Sequence, residues 1–183
     1  MRPGGIAVQK IDSTDREKLL SDIYKRGYQL EQRYYGCAQC LVGAIGDFFP
    51  LNDVLFKAAT SFSGGVASTS EGPCGVLSGG IIVLSYYFGR SRQEFSDIGI
   101  LRRPGPLVKI YWNKFIETYG GDTCRQIQMH LFGRVYHFLD GDEYREYEEA
   151  GGHSEKCPAI VGQGAAWLAE ILLDNNIPCL KGR

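Results

Sequence analysis

Six cysteines stand in the 183-residue chain, and five of them fall where an apolar, helix-patterned run begins or has just begun: Cys37, Cys40, Cys74, Cys124 and Cys157. A thiol in the first turn of a helix feels the positive end of the helix dipole and its unpaired amides, and thiols so placed ionise easily. Four of the five, Cys37, Cys74, Cys124 and Cys157, share one local grammar: a glycine, proline or capping residue beside the cysteine, then a helix. Thiolates converging on one point repel unless cations or protons intervene, so a metal centre suits the set. Sulfur-only tetrahedral sites serve both zinc and iron–sulfur clusters. Structural zinc favours ligand pairs two to four residues apart. The only such pair, Cys37 and Cys40, lies on a helix and makes no knuckle. Widely spaced ligands on a rigid helical frame fit a [2Fe–2S] cluster better, with glycines such as Gly75 letting backbone close on the sulfurs.

Two other chemistries compete with the cluster. Cys37-Ala38-Gln39-Cys40 is a Cys-x-x-Cys at a helix start, the arrangement of a cluster-free thiol–disulfide oxidoreductase. A zinc-stabilised or metal-free interaction module is the third reading, since cysteines also serve as small buried hydrophobes. Of the histidines, His130 and His137 read as surface or satisfied core, whereas His153, in a glycine loop near Cys157, is placed to act beside the site. No Ser-His-Asp order, nucleotide glycine fingerprint or paired-carboxylate motif supports a hydrolase.

The elements that must position the cysteines all carry a helical period. Ser13 or Thr14 caps a helix reaching about Tyr34, weakened locally by Gly27. A second helix starts at Cys37, with Cys40 one turn inward on the same face, and stops before Pro50. Asn52 or Asp53 caps a short third one that ends at Ser63-Gly64-Gly65. Pro73 opens a central, buried helix from Cys74 to Phe88, and Pro104 and Pro106 open another that runs to Gly120-Gly121. Asp122 or Thr123 caps the helix of Cys124, and Cys157-Pro158 starts the last long helix, which stops near Asn175. The acidic segment 140–155 reads as a solvated short helix and loop. With no sustained alternation of apolar and polar residues, the fold class is all-α, a single compact helical domain of about six to eight helices. The domain spans 13–176, after a loose lead-in at 1–12 and before a tail at 177–183.

A length of 183 residues with 44% hydrophobic content suits one core rather than two. A net charge of −1 with no long basic run excludes a nucleic-acid partner. The longest apolar run, Gly79 to Leu84, is too short for membrane insertion. Without an export signal the expected location is cytoplasmic, where cysteines are free, metal-bound or redox-cycling rather than structural disulfides.

The succession Gly36-Cys37-Ala38-Gln39, Ser63-Gly64-Gly65, Cys74-Gly75-Val76-Leu77-Ser78-Gly79, Gly121-Asp122-Thr123-Cys124-Arg125 and Cys157-Pro158-Ala159-Ile160-Val161 resembles the redox-active bacterial and archaeal family named for its C-GCAxxG-C-C pattern. The likeness covers about 27–173. It implies a small helical domain similar to that of split-Soret cytochromes, in which four cysteines are associated with an iron–sulfur centre proposed as [2Fe–2S]. Carried over, the ligands are Cys37, Cys74, Cys124 and Cys157. Haem binding is not inherited, because Cys40 is followed by Leu41 and no Cys-x-x-Cys-His exists. Val76 stands where the family usually has alanine, Cys40 is an additional thiol that would support the ligands, serve as a fifth one or substitute for one of them, and segments 90–106 and 139–155 are longer than the family norm. An electron carrier needs a redox partner protein or subunit, for which Arg90, Arg92, Arg102 and Arg103 or the acidic segment 140–155 offers a docking face, with a homodimer also open.

Overall fold

The computed structural model describes residues 12–180, so most of the lead-in expected at 1–12 and the last residues of the expected tail lie outside the described residues. Eight α-helices form the frame: α1 Ser13–Tyr34, α2 Cys37–Gly46, α3 Asp53–Ala58, α4 Gly75–Phe88, α5 Gly105–Tyr119, α6 Cys124–Phe132, α7 Gly141–Glu149 and α8 Cys157–Asp174. Short 3-10 turns sit at Thr60–Phe62 and Ile98–Ile100, and a π-turn, Gly152–Lys156, leads directly into α8. The all-α expectation holds: among the described residues there is no strand, only one isolated antiparallel bridge between Pro73 and Thr123.

Capping follows local chemistry with two shifts. Asp12, not Ser13 or Thr14, caps α1, its carboxylate accepting from the Asp15 N–H at 2.8 Å. Asn52 caps α3, and Thr123 caps α6 in a reciprocal box with Gln126. Cys74 is the N-cap of α4 rather than its first residue, because Pro73 is held in the bridge to Thr123 and the helix starts at Gly75.

Helices α1 and α8 meet backbone to backbone. A Cβ added at Gly27 would lie 3.0 Å from the Val161 carbonyl oxygen, and one at Gly162 would lie 2.8 Å from that of Tyr24. Gly27 therefore serves the packing of two helices, at the cost of some helix propensity. Helix α4 is buried along most of its length, as expected from its all-round apolarity. Tyr111 of α5, fully buried, reaches with its hydroxyl toward the carbonyl oxygens of Val76 and Gly164, both at 3.3 Å, and so ties α4, α5 and α8 together. Among the described residues no helix is long and apolar enough to cross a membrane.

Candidate functional site

The starts of α2, α4, α6 and α8 converge on one cavity of about 250 Å³, and its wall includes Cys37, Cys74, Cys124 and Cys157. Two backbone hydrogen bonds clamp a pair of these starts side by side: the Cys74 N–H donates to Asp122 O at 2.8 Å and the Cys124 N–H to Gly72 O at 2.9 Å. Cys157 is brought in by the π-turn before it, which Gln32 and Tyr28 of α1 tether through the Ser154 carbonyl at 2.7 and 3.2 Å. Gly75 lets α4 lie against α2, since a Cβ there would fall 2.3 Å from the Cys37 sulfur.

The segment after α3 supplies part of the wall through Ser63, Gly64 and Ser68. Five consecutive residues, Gly64 to Ser68, hold positive φ between 50° and 72°. The three that are not glycine cost about 1–2 kcal/mol each in that conformation. Hydrogen bonds offset this, among them Ala67 N–H to Ser61 O and Ser70 N–H to Gly64 O, both 2.8 Å. Strain held by surrounding contacts is a common mark of functional loops.

Each of the four sulfurs faces a hydrogen-bond donor. The Tyr147 hydroxyl donates to Cys157 at 2.9 Å and the Gln128 amide to Cys124 at 3.5 Å. The Gly64 N–H faces Cys37, and the Val76 and Leu77 N–H groups at the start of α4 face Cys74. Cys40 is built the other way round: it is absent from the cavity wall, and its thiol donates to the Tyr35 carbonyl at 2.8 Å. The shared face expected for Cys37 and Cys40 is thus divided, the first sulfur lining the cavity and the second turned under α1.

The expectation of readily ionised thiols is overturned for the metal-free protein. Burial, then the charges of Glu31 and the neighbouring cysteines, pushes the Cys37 and Cys157 thiols well up. Burial raises Cys74 to about 12 and also raises Cys124. The helix-dipole effect, about 0.3–1 kcal/mol, is less than the 1.4 kcal/mol of a single pKa unit. A cation in the cavity reverses this balance, because a coordinated thiol is deprotonated outright.

One cavity residue carries no cysteine-like signal in the sequence. Glu31 of α1 is 1% exposed, lines the cavity, and leaves its Oε2 without a hydrogen-bond partner. Burial raises its pKa to about 7; the Cys40 thiol beside it pulls down and the Glu148 charge adds to the rise. His153 stands next to it, Nε2 3.8 Å from Glu31 Oε1 and Nδ1 2.5 Å from Glu148 Oε1. His153 and Tyr35 form a shared wall: both also line an outer groove with Arg26, Gln29 and Arg33. His130 and His137 do not line the cavity.

The four cysteines of the cavity wall supply the donor chemistry that a sulfur-bound centre requires. A single tetrahedral zinc holds its sulfurs at about 2.3 Å, hence within about 4 Å of one another. Among the described residues no three His, Cys, Asp or Glu side chains gather closely enough to hold one metal ion.

An all-helical domain with free cysteines presented at helix starts defines a redox-active cysteine-motif protein. The chain belongs to the family described as "Putative redox-active protein (C_GCAxxG_C_C)", whose model matches residues 35–171. Comparisons with curated proteins and with solved structures return no match.

Proposed function

We propose that the protein is an electron carrier that holds an iron–sulfur centre, [2Fe–2S], on Cys37, Cys74, Cys124 and Cys157. The observation that carries this reading is that all four cysteines line one cavity and each sulfur faces a donor from the protein, which favours a coordinated thiolate there. When bound, such a centre supplies reversible one-electron exchange. The chain's part is to hold the four sulfurs, shield them from water, and orient amide and hydroxyl donors toward them. Cys40, facing the Tyr35 carbonyl, is a supporting residue in this reading and not a ligand. The same orientation speaks against disulfide exchange between Cys37 and Cys40.

Electrons must come from and go to a partner redox protein. His153 and Tyr35 line both the cavity and the outer groove, and we place the docking face at that groove. The Arg90 to Arg103 segment suits the role less well. It follows the far end of α4, whose 14 residues put it about 21 Å from Cys74. Arg90 and Arg92 are also folded over the Phe95 ring.

The deciding experiment is purification without air, followed by the visible spectrum, iron and acid-labile sulfide. A coloured protein with about two irons and two sulfides per chain is expected on the cluster stoichiometry. A folded, colourless, iron-free anaerobic sample overturns the reading.

A further inference from the structure

Among the described residues two buried side-chain oxygen atoms lack any hydrogen-bond partner, Glu31 Oε2 and Ser63 Oγ, and both residues line the four-cysteine cavity. An unpaired polar group of this kind is costly to bury, a carboxyl most of all, so two in one cavity wall call for a common partner. Glu31 is also held from behind, with its Oε1 toward His153 and the Cys40 thiol beside the carboxyl, which leaves Oε2 as the free atom. The family match begins at residue 35, so Glu31 lies outside the segment that the pattern describes.

We propose that Glu31 and Ser63 are the polar half of the cofactor site, donating hydrogen bonds to the sulfur atoms of the centre held by the four cysteines. The inference rests on the proposed cluster. A centre with bridging sulfides presents acceptors beyond the four cysteine sulfurs, and those four already face donors of their own. Ser63 offers its hydroxyl proton and Glu31 the proton of its acid form. Hydrogen bonds to cluster sulfurs stabilise the more negative, reduced state and raise the reduction potential. His153, 3.8 Å from Glu31 Oε1, then acts as the positioning residue of the carboxyl.

The test compares the full-length chain with Ser63→Ala, Glu31→Leu and Glu31→Gln, all purified without air. Iron, labile sulfide, the visible circular dichroism and the reduction potential are read on each. Ser63→Ala and Glu31→Leu are expected to retain iron, shift the visible bands and lower the potential. Glu31→Gln, which keeps an N–H donor on the same stem, should stay closer to the wild type. Where Glu31→Leu fails to fold, Ser63→Ala decides. Variants loaded with iron but unchanged in bands and potential overturn the inference while leaving the cluster in place. A wild type without iron overturns the cluster reading itself, and the inference with it.

Discussion

The Tyr147 hydroxyl donates a 2.9 Å hydrogen bond to the Cys157 sulfur, linking the one buried residue of the acidic helix α7 to the first residue of α8. Tyr147→Phe deletes only that bond. Its loss is expected to destabilise the metal-free protein by about 1 kcal/mol, the usual net worth of a single hydrogen bond. In the loaded protein it should shift the visible bands and lower the potential. Denaturant titration beside the visible spectrum checks both, and a variant identical to wild type in both readouts contradicts the assignment.

Cys37 and Cys40 should separate cleanly on substitution. Cys37→Ser is expected to lose most of the iron and sulfide, whereas Cys40→Ala should keep both, because its sulfur is spent on the Tyr35 carbonyl. Equal iron loss in the two variants would show that Cys40 joins the centre.

Gly75→Ala tests the close approach of α4 to the Cys37 sulfur, where the new methyl would meet it at 2.3 Å. Displacement of Cys37 should lower iron content and cost about 1–3 kcal/mol, the range for overpacking. Gly141→Ala, with nothing within 4 Å of the new methyl, is the matched control. It should change stability by less than about 0.5 kcal/mol.

The buried Glu31 makes stability depend on pH in a defined direction. Its pKa rises from 4.5 unfolded to about 7 folded, so the folded state holds the proton longer. The metal-free protein should therefore be most stable, as far as this group goes, below about pH 4.5 and lose stability as pH rises through about 7. The loss amounts to about 3 kcal/mol at 1.36 kcal/mol per pKa unit. Glu31→Gln should flatten that slope. Unfolding free energies measured at intervals from pH 4.5 to 8 give the answer, and an equal slope in both proteins removes Glu31 as its source.

How much of this was readable beforehand divides along a physical line. The helix starts were legible because capping and proline chemistry is local, which is how Cys37, Cys124 and Cys157 could be placed in first turns. That Pro73 would be drawn into a bridge with Thr123, leaving Cys74 as a cap, depended on a partner fifty residues away and had no local signal. Glu31 was illegible for a similar reason. Flanked by Leu30 and Gln32 on an amphipathic helix, it reads as one more solvated carboxylate until the π-turn at Gly152–Lys156 folds over it. Cys40 was misplaced because a spacing of three residues puts side chains about 60° apart around a helix, wide enough to fall on either side of a cavity rim.

The clamp between the Cys74 and Cys124 helix starts bears on how the protein matures. The four sulfurs are contributed by distant parts of the chain, the last from α8, so no nascent fragment that stops before α8 can present the complete set. On the proposed cluster, loading would follow synthesis of α8, and Ser63, Gly64 and Ser68 belong to the part of the wall made of loop rather than packed helix.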